Sequence, residues 1–202
     1  YWSGFTDTYS GIEFYEYAIG TPTSDVGVVD WTSVDTNYTF FHDDLSLING
    51  VIYHASVRAT DGVGNASLIA RSNGFTIDTD NAVITTIIEG DQTEDWDYQG
   101  SDSSFMISWA GNDAASGINF YEYAVGTESD SADIVDWALA GLNTSVTIDS
   151  LELEEGRDIY YGSIRATDQA GNISASFSGD GIEVDISSPS TGIVIDGTKN
   201  DL

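Results

Sequence analysis

The sequence contains no cysteine among its 202 residues. Disulfides, zinc-thiolate sites and thiol nucleophiles are thereby excluded, leaving packing, and bound ions where acids cluster, to hold the fold. Basic side chains are nearly as scarce: five Lys and Arg stand against 34 Asp and Glu, a formal net charge of -29. A field of that sign repels phosphates and anionic lipid surfaces, which argues against nucleic acid and membrane surfaces as partners. No apolar run approaches the roughly 20 residues of a membrane span. The opening "YWSGFTDTYSG" has neither the basic nor the apolar region of a secretion signal. The expectation is a water-exposed segment without direct membrane insertion, any signal or anchor lying outside these residues.

With 41% hydrophobic and 12% aromatic residues, the chain can bury one or two ordinary cores, and two domains is the natural division. The acid is mostly aspartate, 24 Asp to 10 Glu. Short carboxylates favour turns and also ligate hard cations, so calcium enters beside the plainer reading of a solvated acidic surface.

Internal repetition organises the rest. "SGIEFYEYAIGT" (10–21) returns as "SGINFYEYAVGT" (116–127), "VVDW" (28–31) as "IVDW" (134–137), and "RATDGVGN" (58–65) as "RATDQAGN" (165–172). "AVITTIIEGDQTEDW" (82–96) is echoed by "PSTGIVIDGTKNDL" (189–202). The chain therefore reads as a window on a longer array. Residues 1–80 form a repeat lacking its first strand, 81–187 a complete repeat, and 188–202 the opening of a third, with its first strand at 192–196.

Alternation of period two, bounded by Gly, Asn, Asp and Ser, predicts about seven short strands per repeat and no helix. The fold class expected is all-β: tandem antiparallel β-sandwiches. Along "IYYGSIRA", Tyr160, Gly162, Ile164 and Ala166 point inward and Arg165 outward, as do Tyr53, Ala55, Val57 and Ala59 with Arg58. Leu47 and Leu153 precede Tyr53 and Tyr160 by six and seven residues, the spacing of a tyrosine corner. Tyr121, Tyr123 and Val125 share a face, as do Tyr15, Tyr17 and Ile19, and these stripes read as core.

The pattern "W.G..D..SGI.FYEYA.GT", "V.DW" and "Y...S.RATD.AGN.S" resembles the fibronectin type III-like and bacterial Ig-like repeats found in tandem in large bacterial surface and secreted proteins. The resemblance implies an extracellular, cell-surface stalk, adhesin or filament. Its partners would be neighbouring repeats, identical chains in a filament, or a surface glycan or protein.

Two readings of the aspartates stay open. In a sandwich of this topology the 111–117 and 166–172 loops lie at the pole where the chain enters through 77–82. Asp78, Asp80, Asn81, Asn112, Asp113, Asp168 and Asn172 can then converge on a calcium ion that stiffens the domain junction. Asp7, Asp61 and Asn65 are the equivalents in the first repeat, and Asp185 serves the third. Equally, Asp168 with Gly171 and Asn172 makes a good hairpin turn needing no ion. In the insertion "EGDQTEDWDYQGSD" (89–102), Trp96 is the ligand-contact candidate for a carbohydrate- or protein-binding module. Ser131 and Ser150 fall in "DSA" and "DSL", which resemble a bacterial O-glycosylation motif. Chemistry finds no foothold: His42 and His54 are the only histidines, and Tyr161 stands where His54 stood. No enzyme activity, no catalytic residue and no cofactor besides calcium are expected.

Overall fold

The computed structural model describes residues 1–156 and 159–194. They contain strands and no helix, hence none long and apolar enough to cross a membrane. Two compact units emerge, Tyr1–Asn81 with Asp113–Gly117, and Ala82–Asn112 with Ile118–Leu202.

The first unit carries β1 (Ile12–Thr21), β2 (Ser24–Ser33), β3 (Ile52–Asp61), β4 (Ala70–Arg71) and β5 (Phe75–Thr76). They form one sheet in the order β2-β1-β3-β4, with β5 also on β3. The second unit carries β6 (Val83–Glu89), β7 (Tyr98–Gln99), β8 (Ser104–Asn112), β9 (Ile118–Gly126), β10 (Val135–Gly141), β11 (Ser145–Asp149), β12 (Ile159–Asp168), β13 (Phe177–Ser178) and β14 (Ile182–Val184). One sheet runs β11-β8-β6, the other β10-β9-β12-β14-β7 with β13 on β12. This is the antiparallel sandwich the alternation predicts.

Its core is made by the inward residues of both sheets. Ile84 and Ile87 of β6 meet Phe105, Ile107 and Trp109 of β8, and face Tyr121, Val125, Tyr160, Ile164 and Ile182. Each large apolar side chain buried this way contributes about 1.5–3 kcal/mol. The predicted inward set on β12 is buried throughout, while Arg165 is half-exposed. The tyrosine corners are present in both units: Tyr160 Oη accepts the Glu154 N–H at 2.7 Å and Tyr53 Oη the Ile48 N–H at 3.0 Å.

Two features extend the reading from sequence. The insertion after β6 is not only loop, since Tyr98–Gln99 pairs in parallel with β14; a two-residue strand is too short to leave a periodic signal. In the first unit, residues 39–43 form no strand although their counterpart is β11. In the second unit β11 pairs with Ser104–Ser108 of β8. The first unit has a groove of about 420 Å³, walled by Phe5, Tyr17, Phe40 and Val57 among others. Of the strand expected at 192–196, residues 192–194 pair with no other strand among the described residues. Ile195 and Asp196 lie outside those residues.

Candidate functional site

The repeated phrase "RATD..GN" closes each long central strand, and both copies fold alike. Asp61 Oδ1 accepts the N–H groups of Val63 and Asn65 at 3.0 and 2.8 Å, and Oδ2 accepts the Asn65 side-chain amide at 2.8 Å. Asp168 does the same with Asn172, 2.8 Å from Oδ1 to the backbone N–H and 2.8 Å from Oδ2 to Nδ2. Gly64 and Gly171 supply the positive φ, 91° and 94°. The Asn65 side chain and backbone hold Asp61 below the ordinary carboxylate range. For Asp168 burial pushes the other way, but the Asn172 amides outweigh it and the net direction is again down.

A second aspartate motif precedes the other long strand. Asp7 Oδ1 accepts the N–H groups of Tyr9, Ser10 and Gly11, and Asp113 Oδ1 those of Ala115, Ser116 and Gly117. Both carboxyls are lowered, Asp7 chiefly by the Ser10 amide and Asp113 chiefly by that of Gly117. These are ionised turn formers, and each retains oxygen lone pairs with which to ligate a cation.

The other predicted ligands fall as follows. Within the first unit, Asp78 and Asp113 bring carboxylate oxygens to within 4.8 Å of each other. Asp78 Oδ1 also accepts the Asp80 N–H, at 3.1 Å; Asp80 and Asn81 are exposed. In the second unit Asn112 is exposed and ends β8 opposite Val83. Asp185 repeats the local turn of Asp78 through the Ser187 N–H.

The most unusual titratable group is one that sequence reasoning missed. Glu89, the last residue of β6, is completely buried in the second unit. Its Oε1 accepts the Gly162 N–H and its Oε2 the Gly181 N–H, both at 2.6 Å. Asp95 and Asp180 each offer a carboxylate oxygen to this group, all within 4.8 Å of one another. Burial raises the Glu89 carboxyl to about 7, against the two backbone amides that favour its charged form. One glycine makes its room: a Cβ on Gly179 would collide with the carboxylate, whereas one on Gly162 would collide with Ile107. The first unit has Ala55 and Ser72 in those places, and there the Ser72 hydroxyl accepts the Ala55 N–H at 3.1 Å. A hydroxyl in one repeat thus takes the amide that a carboxylate takes in the other. A strand-terminal acid followed by glycine is the only local signal, and it reads equally as a solvated strand end.

Trp96 is 40% exposed beside Tyr98 at 63%, with its ring packed over Gly90. Ser131 Oγ donates to Asp133 at 2.5 Å, the leading reason that carboxyl lies at about 2. Ser150 is exposed at a left-handed turn, φ 64°. His42 Nδ1 pairs with the Tyr17 hydroxyl at 2.8 Å, and His54 Nδ1 donates to the Ser72 carbonyl at 2.8 Å. Among the described residues, neither histidine is hydrogen-bonded to a carboxylate.

No family model matches the sequence, and no curated protein matches it. Among solved structures, the crystal structure of chicken CNTN1 FN1-FN3 domains is similar at 18% identity and a TM-score of 0.40, over 82% of this chain and 55% of that one. The chain thus spans about half the length of that structure.

Proposed function

We propose that the chain is a non-enzymatic structural segment of a large extracellular bacterial tandem-repeat protein, acting as a stalk or adhesin spacer or as a filament-forming unit. One observation carries this reading: the duplication preserves scaffold and discards reactive groups. The Asp–Asn turns, the Asp caps, the tyrosine corners and the Arg–Glu cross-strand pairs recur in both units. The histidines do not recur: Ile148 and Tyr161 occupy the places of His42 and His54. A site under selection for chemistry or a fixed ligand keeps its reacting groups from copy to copy, whereas a spacer keeps only what folds.

Calcium belongs to this proposal, with the loop aspartates as its ligands and stiffening as its effect. An unfolding midpoint identical in calcium and in excess chelator would remove calcium from the proposal. The spacer role is tested in the parent protein by replacing residues 81–187 with an unrelated sandwich of equal length. Retained surface attachment or assembly supports a role in length and stiffness; its loss indicates a specific contact made by this repeat.

A second reading rests on Trp96 and Tyr98, adjacent exposed aromatics on the insertion. They suit a carbohydrate or protein contact, in which an apolar ring face is covered while polar edges stay wet. Glycan-array binding that Trp96→Ala abolishes would favour this reading over the spacer.

A further inference from the structure

On the β10-β9-β12-β14-β7 sheet of the second unit, separate segments bring apolar and acidic side chains to one outer face. Tyr98 of β7 stands opposite Glu183 of β14, and Glu183 opposite Ile159 of β12. Residues paired across strands share a face, so these three form one row, while their chain neighbours Gln99, Ile182, Val184 and Tyr160 are buried. Tyr98 and Ile159 are 63% and 45% exposed. Two open hollows, of about 260 and 460 Å³, meet along Asp97 and Tyr98. Asp180 and Glu183 line the first, Asp95 and Trp96 the second. Backbone bonds hold the patch in place: the Trp96 N–H donates to the Glu89 carbonyl at 2.7 Å and the Glu183 N–H to the Asp97 carbonyl at 2.9 Å.

We propose that this patch docks an arginine-bearing basic segment of another protein. Charge complementarity selects that occupant. A guanidinium can stack on an aromatic ring while donating to a carboxylate beside it. The chain already uses this chemistry internally, since the Arg165 guanidinium lies 4.3 Å from the centre of Trp137 and bonds Glu122 at 2.8 Å. At Trp96 and Tyr98 the rings and the carboxylates are in place, yet among the described residues no basic side chain lines either hollow. A second copy of the chain is a poor source of the cation. Arg58, Arg71 and Arg165 are already paired with carboxylates, and two chains of formal net charge -29 repel each other. A neutral glycan would cover the rings but leave the carboxylates of Asp95, Asp97, Asp180 and Glu183 uncompensated.

This inference deepens the binding reading of Trp96 and Tyr98 given above and rests on it. A labelled, capped peptide of arginine, glycine and serine, titrated against the 202-residue chain and followed by fluorescence anisotropy, tests it. The expected result is saturable binding that weakens about tenfold or more when citrulline, which keeps the shape of arginine without its charge, replaces each arginine. Trp96→Ala and Tyr98→Ala each weaken it about fivefold through the lost ring face. Asp97→Asn combined with Glu183→Gln weakens it about tenfold. Asp43→Asn combined with Asp44→Asn removes the same charge from exposed positions of the first unit and weakens it less than about twofold. All of these side chains are exposed or half-exposed, and the unfolding midpoint of each variant separates lost binding from lost folding. No binding of the arginine peptide, equal binding of the citrulline peptide, indifference to both ring substitutions, or equal weakening by the two charge pairs would overturn the basic partner. If the arginine peptide fails while a glycan binds the wild-type chain and not Trp96→Ala, the basic partner falls and the binding reading stands; if neither binds, both fall.

Discussion

The guanidinium of Arg165 lies over the ring of Trp137, 4.3 Å from its centre, while its Nε donates to Glu122 at 2.8 Å. Arg58 repeats the arrangement with Trp31 at 4.5 Å and Glu16 at 2.7 Å. The strand register sets it up, because Arg165 faces Glu122, and Arg58 faces Glu16, across adjacent strands. Arg165→Ala should lower the stability of the second unit by about 1–2 kcal/mol, from a partly exposed cation–π contact and a surface ion pair. Arg165→Lys should lose the stack and the two-point contact with Glu122 while keeping charge. Urea denaturation of both variants checks this, and an unchanged midpoint for the alanine variant would mean the stack is only decorative.

The tyrosine corners offer a cleaner deletion, since Tyr→Phe removes one hydroxyl and little volume. Tyr160→Phe and Tyr53→Phe each lose one backbone hydrogen bond at the start of a central strand, a cost of about 1 kcal/mol apiece. The two effects should add in the double variant, because the residues belong to different units. Thermal unfolding of the single and double variants measures both points.

Asp168 makes the stability of the second unit sensitive to acid. Its carboxyl titrates lower in the folded chain than in the unfolded one, so its contribution is complete above the unfolded value near 3.8. That contribution is lost as the pH falls through the still lower folded value. Asp168→Asn should therefore destabilise at neutral pH, and its difference from wild type should shrink as the pH drops below about 4. Parallel acid titrations followed by circular dichroism reveal whether the two curves converge.

What could be read from the sequence depended on the range of the signal. The sandwich was legible because Tyr160, Gly162, Ile164 and Ala166 alternate over a few residues, and because the second copy repeats the alternation. The Asp–Asn turns were legible as turns, being closed by residues four apart. Whether their aspartates also hold calcium depends on positions far apart in the chain, so local spacing left that alternative open. Glu89 was illegible for a physical reason. Its burial is made possible by the absence of a side chain at Gly179, 90 positions along the chain, and no local pattern encodes a vacancy that distant. Trp31 and Trp137 are half-exposed partners of Arg58 and Arg165.

That buried glutamate should give the second unit a pH response opposite to that of the aspartates. Its carboxyl, ordinarily near 4.5, is raised to about 7 because burial penalises the anion more than the Gly162 and Gly181 amides stabilise it. Between those two values the folded unit holds a proton that the unfolded chain has released. Stability on this account falls as the pH rises from about 4.5 to about 7 and levels off above. At roughly 1.4 kcal/mol per pH unit the whole effect is about 3 kcal/mol. Glu89→Gln removes the titration and should flatten the profile across that window. It should not reach the wild-type stability at pH 5, because its Nε2 cannot accept one of the two glycine N–H groups. Unfolding midpoints of both proteins at half-unit steps from pH 4.5 to 8 decide the matter. A wild-type profile as flat as that of the glutamine variant would show that Glu89 stays ionised in the core.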